Sequence, residues 1–314
     1  MSWVSESGST LFGRAAASIL VVTLLNAAGS ANAGGRYEVT LLQPLKHDAM
    51  DYPWDSVGAG VNNDGVVVGS ADAYPSEAII WYNRAVTMLP GAYSEHHGNR
   101  ATGINNAGQV VGALGTQGVV WQVDGTQTNL RYPAGMSRTF GNAIAPSGVT
   151  VGLASVDEEL SDVRPVLWGT TGEPKFLPTL CDTCRTEPRA VAAGGWIAGM
   201  AWLPEPWEGR GYTAVLWQKN KLVNLGAALP GKWSIANGVN AAGVVVGIAG
   251  DLPWGDPAAV RWRDGQAEVL PPLDPSTPRC EAMAVNDRGD IVGECQTSMG
   301  VRAVLWRRGG AWWT

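Results

Sequence analysis

The side chains able to move protons or grip a polar ligand fall in a few stretches of this 314-residue chain. Glu205 and Glu208 are close in sequence, as are Asp251 and Asp256. Paired carboxylates at a suitable separation hydrolyse glycosides, one as acid and one as nucleophile or base. His96 and His97 are adjacent, and His47 is the only other histidine. A His beside an acid or a Tyr can abstract a proton in a sugar lyase. Around these candidates stand Trp202, Trp207, Trp233, Trp254 and Tyr74, together with Arg100, Arg138 and Arg210. An exposed aromatic ring covers the C–H face of a sugar while charged groups take its hydroxyls, which makes these the candidate ligand-binding residues. The plainer alternative has the acids solvated and the tryptophans bracing long loops.

Other chemistries leave no trace. There is no Gly-x-Ser-x-Gly elbow, phosphate-cradling glycine loop or His-Glu-x-x-His site, so no cofactor is expected. Metal-ligand spacing is absent too. The run Asn286-Asp287-Arg288-Gly289-Asp290 is too short for an EF-hand loop, and only clustered Asp would offer Ca²⁺ a place. The four cysteines are expected to be structural. Cys280 and Cys295 flank a hairpin and oppose each other in the register that pairs Val285 with Asp290. Cys181 and Cys184 are read as a local bridge in a loop. A redox pair of that spacing needs a thioredoxin-like βαβ setting, and a zinc site needs a second ligand pair.

A repeat must position these residues. Gly103–Gly112 and Gly238–Gly247 share a small residue, a branched apolar residue, an Asn-containing turn ending in Gly, and an apolar run closed by Gly. Gly60–Gly69 and Ala284–Gly293 match closely; Ala143–Gly152 is looser and Ala190–Gly199 has a shortened turn. Each copy then reaches a Trp: Trp81, Trp121, Trp168, Trp217, Trp262 and Trp306, 40 to 49 residues apart. Four short strand-like runs at that period predict a blade of a β-propeller. The expected fold is all-β, with six four-stranded antiparallel blades in one domain over residues 34–314. The six Trp residues should fill the wedges between blades. Small residues at one register (Gly58, Ala101, Gly141, Ala190, Ala236, Ala282) should face the crowded axis. Val39–Leu45 resembles a fourth strand without its first three, and is expected to complete blade six and remove a sheet edge; Trp312-Trp313 competes for that place. A solenoid of six units is the structural alternative.

In such a blade the first-to-second and third-to-fourth turns share one end, and here they are short and uniform. The second-to-third and blade-linking loops share the other end, are long and varied, and carry the candidate acid pairs, tryptophans and arginines named above together with Tyr74, His96 and His97.

The segments Ile104-Asn105-Asn106-Ala107-Gly108-Gln109-Val110-Val111-Gly112 and Ala214-Val215-Leu216-Trp217 resemble those of the bacterial extracellular HAF repeat family. That resemblance covers nearly the whole chain after residue 33 and implies an exported repeat protein; it brings no catalytic motif. Copies three and four depart most from its pattern. The amino terminus agrees with export. Arg14, the apolar run Ala15–Leu25 and Ala31-Asn32-Ala33 follow the order of a signal peptide cleaved after Ala33. A secreted or periplasmic monomer without a membrane span is expected. A net charge of −6 argues against a nucleic-acid partner. The expected function is binding of a glycan, or of another exported component, through the varied loops. The alternatives are a glycoside hydrolase or polysaccharide lyase using the loop acids and His, and a protein-interaction scaffold or envelope-protection factor.

Overall fold

The repeat's asparagine closes its own hairpin. In a computed structural model, which describes residues 42, 56–71, 76–83, 85–91, 98–157, 162–203, 211–219, 221–251 and 255–307, the Oδ1 atoms of Asn62, Asn105, Asn240 and Asn286 each accept two backbone N–H groups. These come from two and four residues ahead, at 2.9–3.1 Å. A side-chain acceptor of this kind substitutes for backbone in a tight turn. The Gly that ends each of these turns sits at positive φ, 74° to 89° for Gly65, Gly108, Gly243 and Gly289.

Those turns join the first two strands of six antiparallel meanders. Blade one holds β1 (Ser56–Val61), β2 (Val67–Ala71), β3 (Glu77–Tyr82) and β4 (Ala85–Met88). Blade two holds β5 (Arg100–Ile104), β6 (Val110–Leu114), β7 (Gln117–Trp121) and β8 (Gln127–Asn129). Blade three holds β9 (Arg138–Ile144), β10 (Thr150–Ser155), β11 (Val163–Trp168) and β12 (Pro174–Phe176). Blade four holds β13 (Arg185–Val191), β14 (Ile197–Trp202), β15 (Tyr212–Gln218) and β16 (Lys221–Asn224). Blade five holds β17 (Lys232–Val239), β18 (Val245–Asp251), β19 (Ala258–Arg263) and β20 (Gln266–Val269). Blade six has three strands among the described residues, β21 (Cys280–Val285), β22 (Ile291–Thr297) and β23 (Gly300–Trp306). The expected closing strand Val39–Leu45, Trp312-Trp313 and the expected leader lie outside the described residues, apart from half-buried Leu42.

Every innermost strand carries a bulge at the same place, where its register against the second strand shifts by one. The extra residues are Ala59, Thr102, Asn142, Arg189, Asn237 and Met283. This bulge accounts for the Gly that closes each apolar run. A Cβ on Gly69, Gly112, Gly152, Gly199, Gly247 or Gly293 would lie 1.8–2.0 Å from a carbonyl oxygen of the bulged strand, and only Gly admits so close an approach.

The bulge also corrects two expectations. In blade four the residue opposite the closing Gly199 is Pro188, and Ala190 lies beyond the bulge opposite Ala198. In blade six Val285 pairs with Ile291 rather than Asp290, and the bulge at Met283 restores the register that sets Cys280 opposite Cys295. Both expected disulfides, Cys181–Cys184 and Cys280–Cys295, are formed.

The blades pack through apolar clusters, each built from two consecutive sheets, from one–two to five–six. The six anchor tryptophans are at most 3% exposed. Four of them also tie their blade to the one before. The Nε1 atoms of Trp121, Trp168, Trp217 and Trp306 donate to the carbonyls of Pro90, Arg131, Pro178 and Pro271 at 2.6–2.9 Å. Each acceptor lies just after the preceding blade's fourth strand. Copy four, which lacks the turn Asn, is braced differently: Trp196 lies against the turn at Gly243 of blade five, where even a Cβ would meet its ring at 2.8 Å.

All six first turns reach one cavity of about 400 Å³, with Asn63, Asn106, Pro146, Ala193, Asn240 and Asp287 among its lining. Six radial sheets therefore surround one axis. The fold is a six-bladed β-propeller.

Candidate functional site

The innermost strands run from the blade-linking loops to the Asn turns, so their first residues stand at the varied end of the axis. Register fixes which residues share a level. Immediately before the residue opposite the closing Gly come Val57, Arg100, Phe140, Glu187, Ile235 and Glu281. Two residues earlier, blades three to six place Arg138, Arg185, Trp233 and Arg279.

Below that level the bulge residues link blade to blade in one direction. Thr102 Oγ1 donates to the Gly141 carbonyl at 2.7 Å, and Asn142 Nδ2 to the Pro188 carbonyl at 2.9 Å. Arg189 Nη1 donates to Asn237 Oδ1 at 2.7 Å. Asn237 Nδ2 in turn reaches the Ala282 carbonyl at 3.0 Å and Glu281 Oε1 at 3.1 Å. Arg189 also lies 3.6 Å from Glu187, and the Arg100 guanidinium lies over the Phe140 ring, 5.4 Å from its centroid. A side-chain bond between charged and amide groups in a confined space holds its members in one arrangement.

Two groups of this level have displaced proton affinities. Burial raises the pKa of Glu281, and the Glu294 carboxylate directly opposite it on β22 raises it further. The hydrogen bond from Asn237 and the charges of Arg189 and Arg279 hold that shift back. Burial also lowers the pKa of Arg100, opposed by Glu187. Arg100 is nevertheless exposed, so solvent tempers that effect.

Blade four carries an aromatic row outward from this mouth. Arg185 pairs with Trp202, and Trp202 with Tyr212, across three strands. The two rings are 5.1 Å apart between centroids and tilted by 57°. Trp202 remains 39% exposed, and Arg185 has no hydrogen-bond or ion-pair partner among the described residues. Beside the row, Leu203, Tyr212, Asn224, Leu229, Lys232 and Trp233 help to line a cavity of about 150 Å³. Trp233 itself is only 5% exposed, so it presents no open ring face of the kind the sequence led one to expect, and its Nε1 has no hydrogen-bond partner.

Of the other candidates, Arg100 and Arg138 come to the channel mouth. Asp251 is taken by Lys232 Nζ at 2.5 Å on the rim, and Asp256 is exposed. Tyr74, His96, His97, Glu205, Trp207, Glu208, Arg210 and Trp254 lie outside the described residues. No cluster of His, Cys, Asp or Glu suited to a metal ion occurs among the described residues. No helix there is long and apolar enough to cross a membrane.

No protein-family model matches the sequence, and no curated protein does. Solved structures do. The β-propeller domain of the Trilobed protease from Pyrococcus furiosus aligns with a TM-score of 0.55 at 12% identity, over 82% of this chain and 80% of that one. Virginiamycin B lyase from Staphylococcus aureus aligns with a TM-score of 0.50 at 12% identity, over 81% of this chain and 85% of that one. TolB from Acinetobacter baumannii aligns at 0.48 and 12% identity over 78% of this chain; only 64% of TolB is covered, less than two thirds of its length. The likeness is one of fold.

The bulge ring, with Glu187, Arg189, Asn237 and Glu281, escaped the sequence reading. One signal was available. The position after the small residue is polar in Thr102, Asn142 and Asn237, and Arg189 follows Pro188 at the same place, where strand alternation alone gives it no special role.

Proposed function

We propose that the protein is an exported binding propeller that holds a glycan at the varied end of its channel, chiefly on blades four and five. The row Arg185–Trp202–Tyr212 carries this reading. A half-open aromatic pair offers apolar surface to sugar C–H groups, and an uncommitted guanidinium beside it donates to hydroxyls or acids. The small cavity at Trp233 adjoins the row, and the loops bearing Trp207, Arg210 and Trp254 belong to the same two blades. Export rests on the leader-like residues 1–33, the HAF-type repeat, and two disulfides, which persist in oxidising compartments.

A second reading, a carbohydrate-active enzyme, is favoured by Glu281. A carboxyl that keeps its proton above the usual range, opposite a second carboxylate, is the pattern of an acid with its partner. One experiment addresses both: a glycan array scored for binding and for release of shorter products. Retention without cleavage is the expected result. Cleavage would favour the enzyme, and an array without any hit would remove the glycan reading.

A further inference from the structure

We infer that the glycan taken at the channel mouth is an acidic one, its carboxylates held by a ring of arginines led by Arg185. This rests on the glycan reading and adds the charge of the ligand. The chain as a whole is acidic, with a net charge of −6. Yet at one level of the innermost strands three blades carry Arg: Arg138, Arg185 and Arg279. Arg100 stands one step further in. Blades two, three and four thus each start their innermost strand at the varied end with an arginine, and blade six has one immediately before its own.

At Arg185 neutralisation inside the protein is incomplete. Among the described residues Arg185 has no hydrogen-bond or ion-pair partner. Glu187 is shared between Arg189 at 3.6 Å and the more distant Arg100. Glu281 accepts a hydrogen bond from Asn237 and faces Glu294 across the ladder, and burial raises its pKa. On the rim Asp251 is engaged by Lys232 and Asp162 by Arg164, whereas Glu294 faces Glu281. An arginine in a partly desolvated channel favours an anion there, because a planar carboxylate matches two of its N–H donors at once. The adjoining rings of Trp202 and Tyr212 restrict that anion to one attached to a flat apolar face, as in a uronic acid. A bare inorganic anion would leave the rings unused.

The test compares trigalacturonate with its methyl ester, the same sugar without charge, by calorimetric titration of the full protein at low and at raised salt. The acid should bind at least about tenfold more tightly, with the preference shrinking as salt screens it. Arg185→Gln should abolish that preference, weakening the acid far more than the ester. Arg131→Gln, on an arginine that pairs with Glu173 away from the mouth, should alter neither. Thermal melting checks that the variants fold, and Arg185→Lys provides a charge-retaining control that should keep part of the preference. Equal binding of acid and ester would overturn the inference while leaving the glycan reading intact. So would a preference that survives Arg185→Gln, or binding confined to neutral sugars. Absence of binding to every sugar on the array would remove both.

Discussion

Arg185 stands directly opposite Trp202 at the point where blade four emerges from the channel. A half-buried arginine on the innermost strand and a ring that reaches solvent are thereby fixed on one face of one sheet. The scaffold supplies this relationship through register, because residues paired across a ladder have their Cβ atoms about 5 Å apart. Side chains on a rigid strand are placed more precisely than those on the loops that flank them. This is why the described part of the site sits at strand ends.

The anchor tryptophans should dominate stability. Trp217→Ala removes a ring that is 1% exposed and its bond to the Pro178 carbonyl. It is expected to cost about 3–5 kcal/mol in denaturant unfolding. The hydrogen bond can be read separately. Trp168 donates to Arg131, whereas the buried Nε1 of Trp262 has no partner. Trp168→Phe should therefore cost about 1 kcal/mol more than Trp262→Phe. Equal costs would show that the blade-to-blade bond adds nothing.

The glycine behind each bulge should be intolerant of any side chain. In Gly247→Ala the new Cβ would lie 2.0 Å from the Ile235 carbonyl oxygen, a backbone atom that cannot swing away. A loss of at least about 3 kcal/mol is expected. Gly265→Ala, with open space around it but φ near +76°, should cost only about 1–2 kcal/mol. Comparable losses would place the constraint in φ rather than in the bulge.

Glu281 should make stability fall as pH rises. Its folded pKa lies above the usual glutamate value, so the native state binds its proton more tightly than the unfolded chain does. That contribution is complete below the ordinary carboxylate range and is lost as pH climbs through the raised value. Glu294 strengthens the effect, and Asn237, Arg189 and Arg279 weaken it. Glu281→Gln should flatten the fall of the melting midpoint with pH above the ordinary carboxylate range. An unchanged slope would assign the pH dependence to other groups.

How much of this was legible in the sequence differs between scaffold and site. The blades could be read because one Trp, one Asn turn and one closing Gly recur together, and each recurrence has a packing cause: Trp121 in its wedge, Asn105 on its own turn, Gly112 beneath a carbonyl. Arg100 and Arg138 could be placed at the varied end for the same reason. Trp233 could not, because nothing in a local pattern tells that Gly250 leaves room for its ring against the sheet. Arg185 follows Cys184 and reads as part of a loop, yet it begins β13. Glu281 gains its character from Asn237 in the previous blade, and a contact 44 residues distant leaves no mark at either position.

The most direct measurement is a pair of calorimetric titrations, wild type and Trp202→Ala, with the tightest-binding glycan from the array. Loss of the half-exposed ring should weaken binding about tenfold or more, equivalent to roughly 1.4 kcal/mol, with a melting midpoint within a degree or two of wild type. Equal affinity in two equally stable proteins would contradict the assignment of the sugar face to blade four.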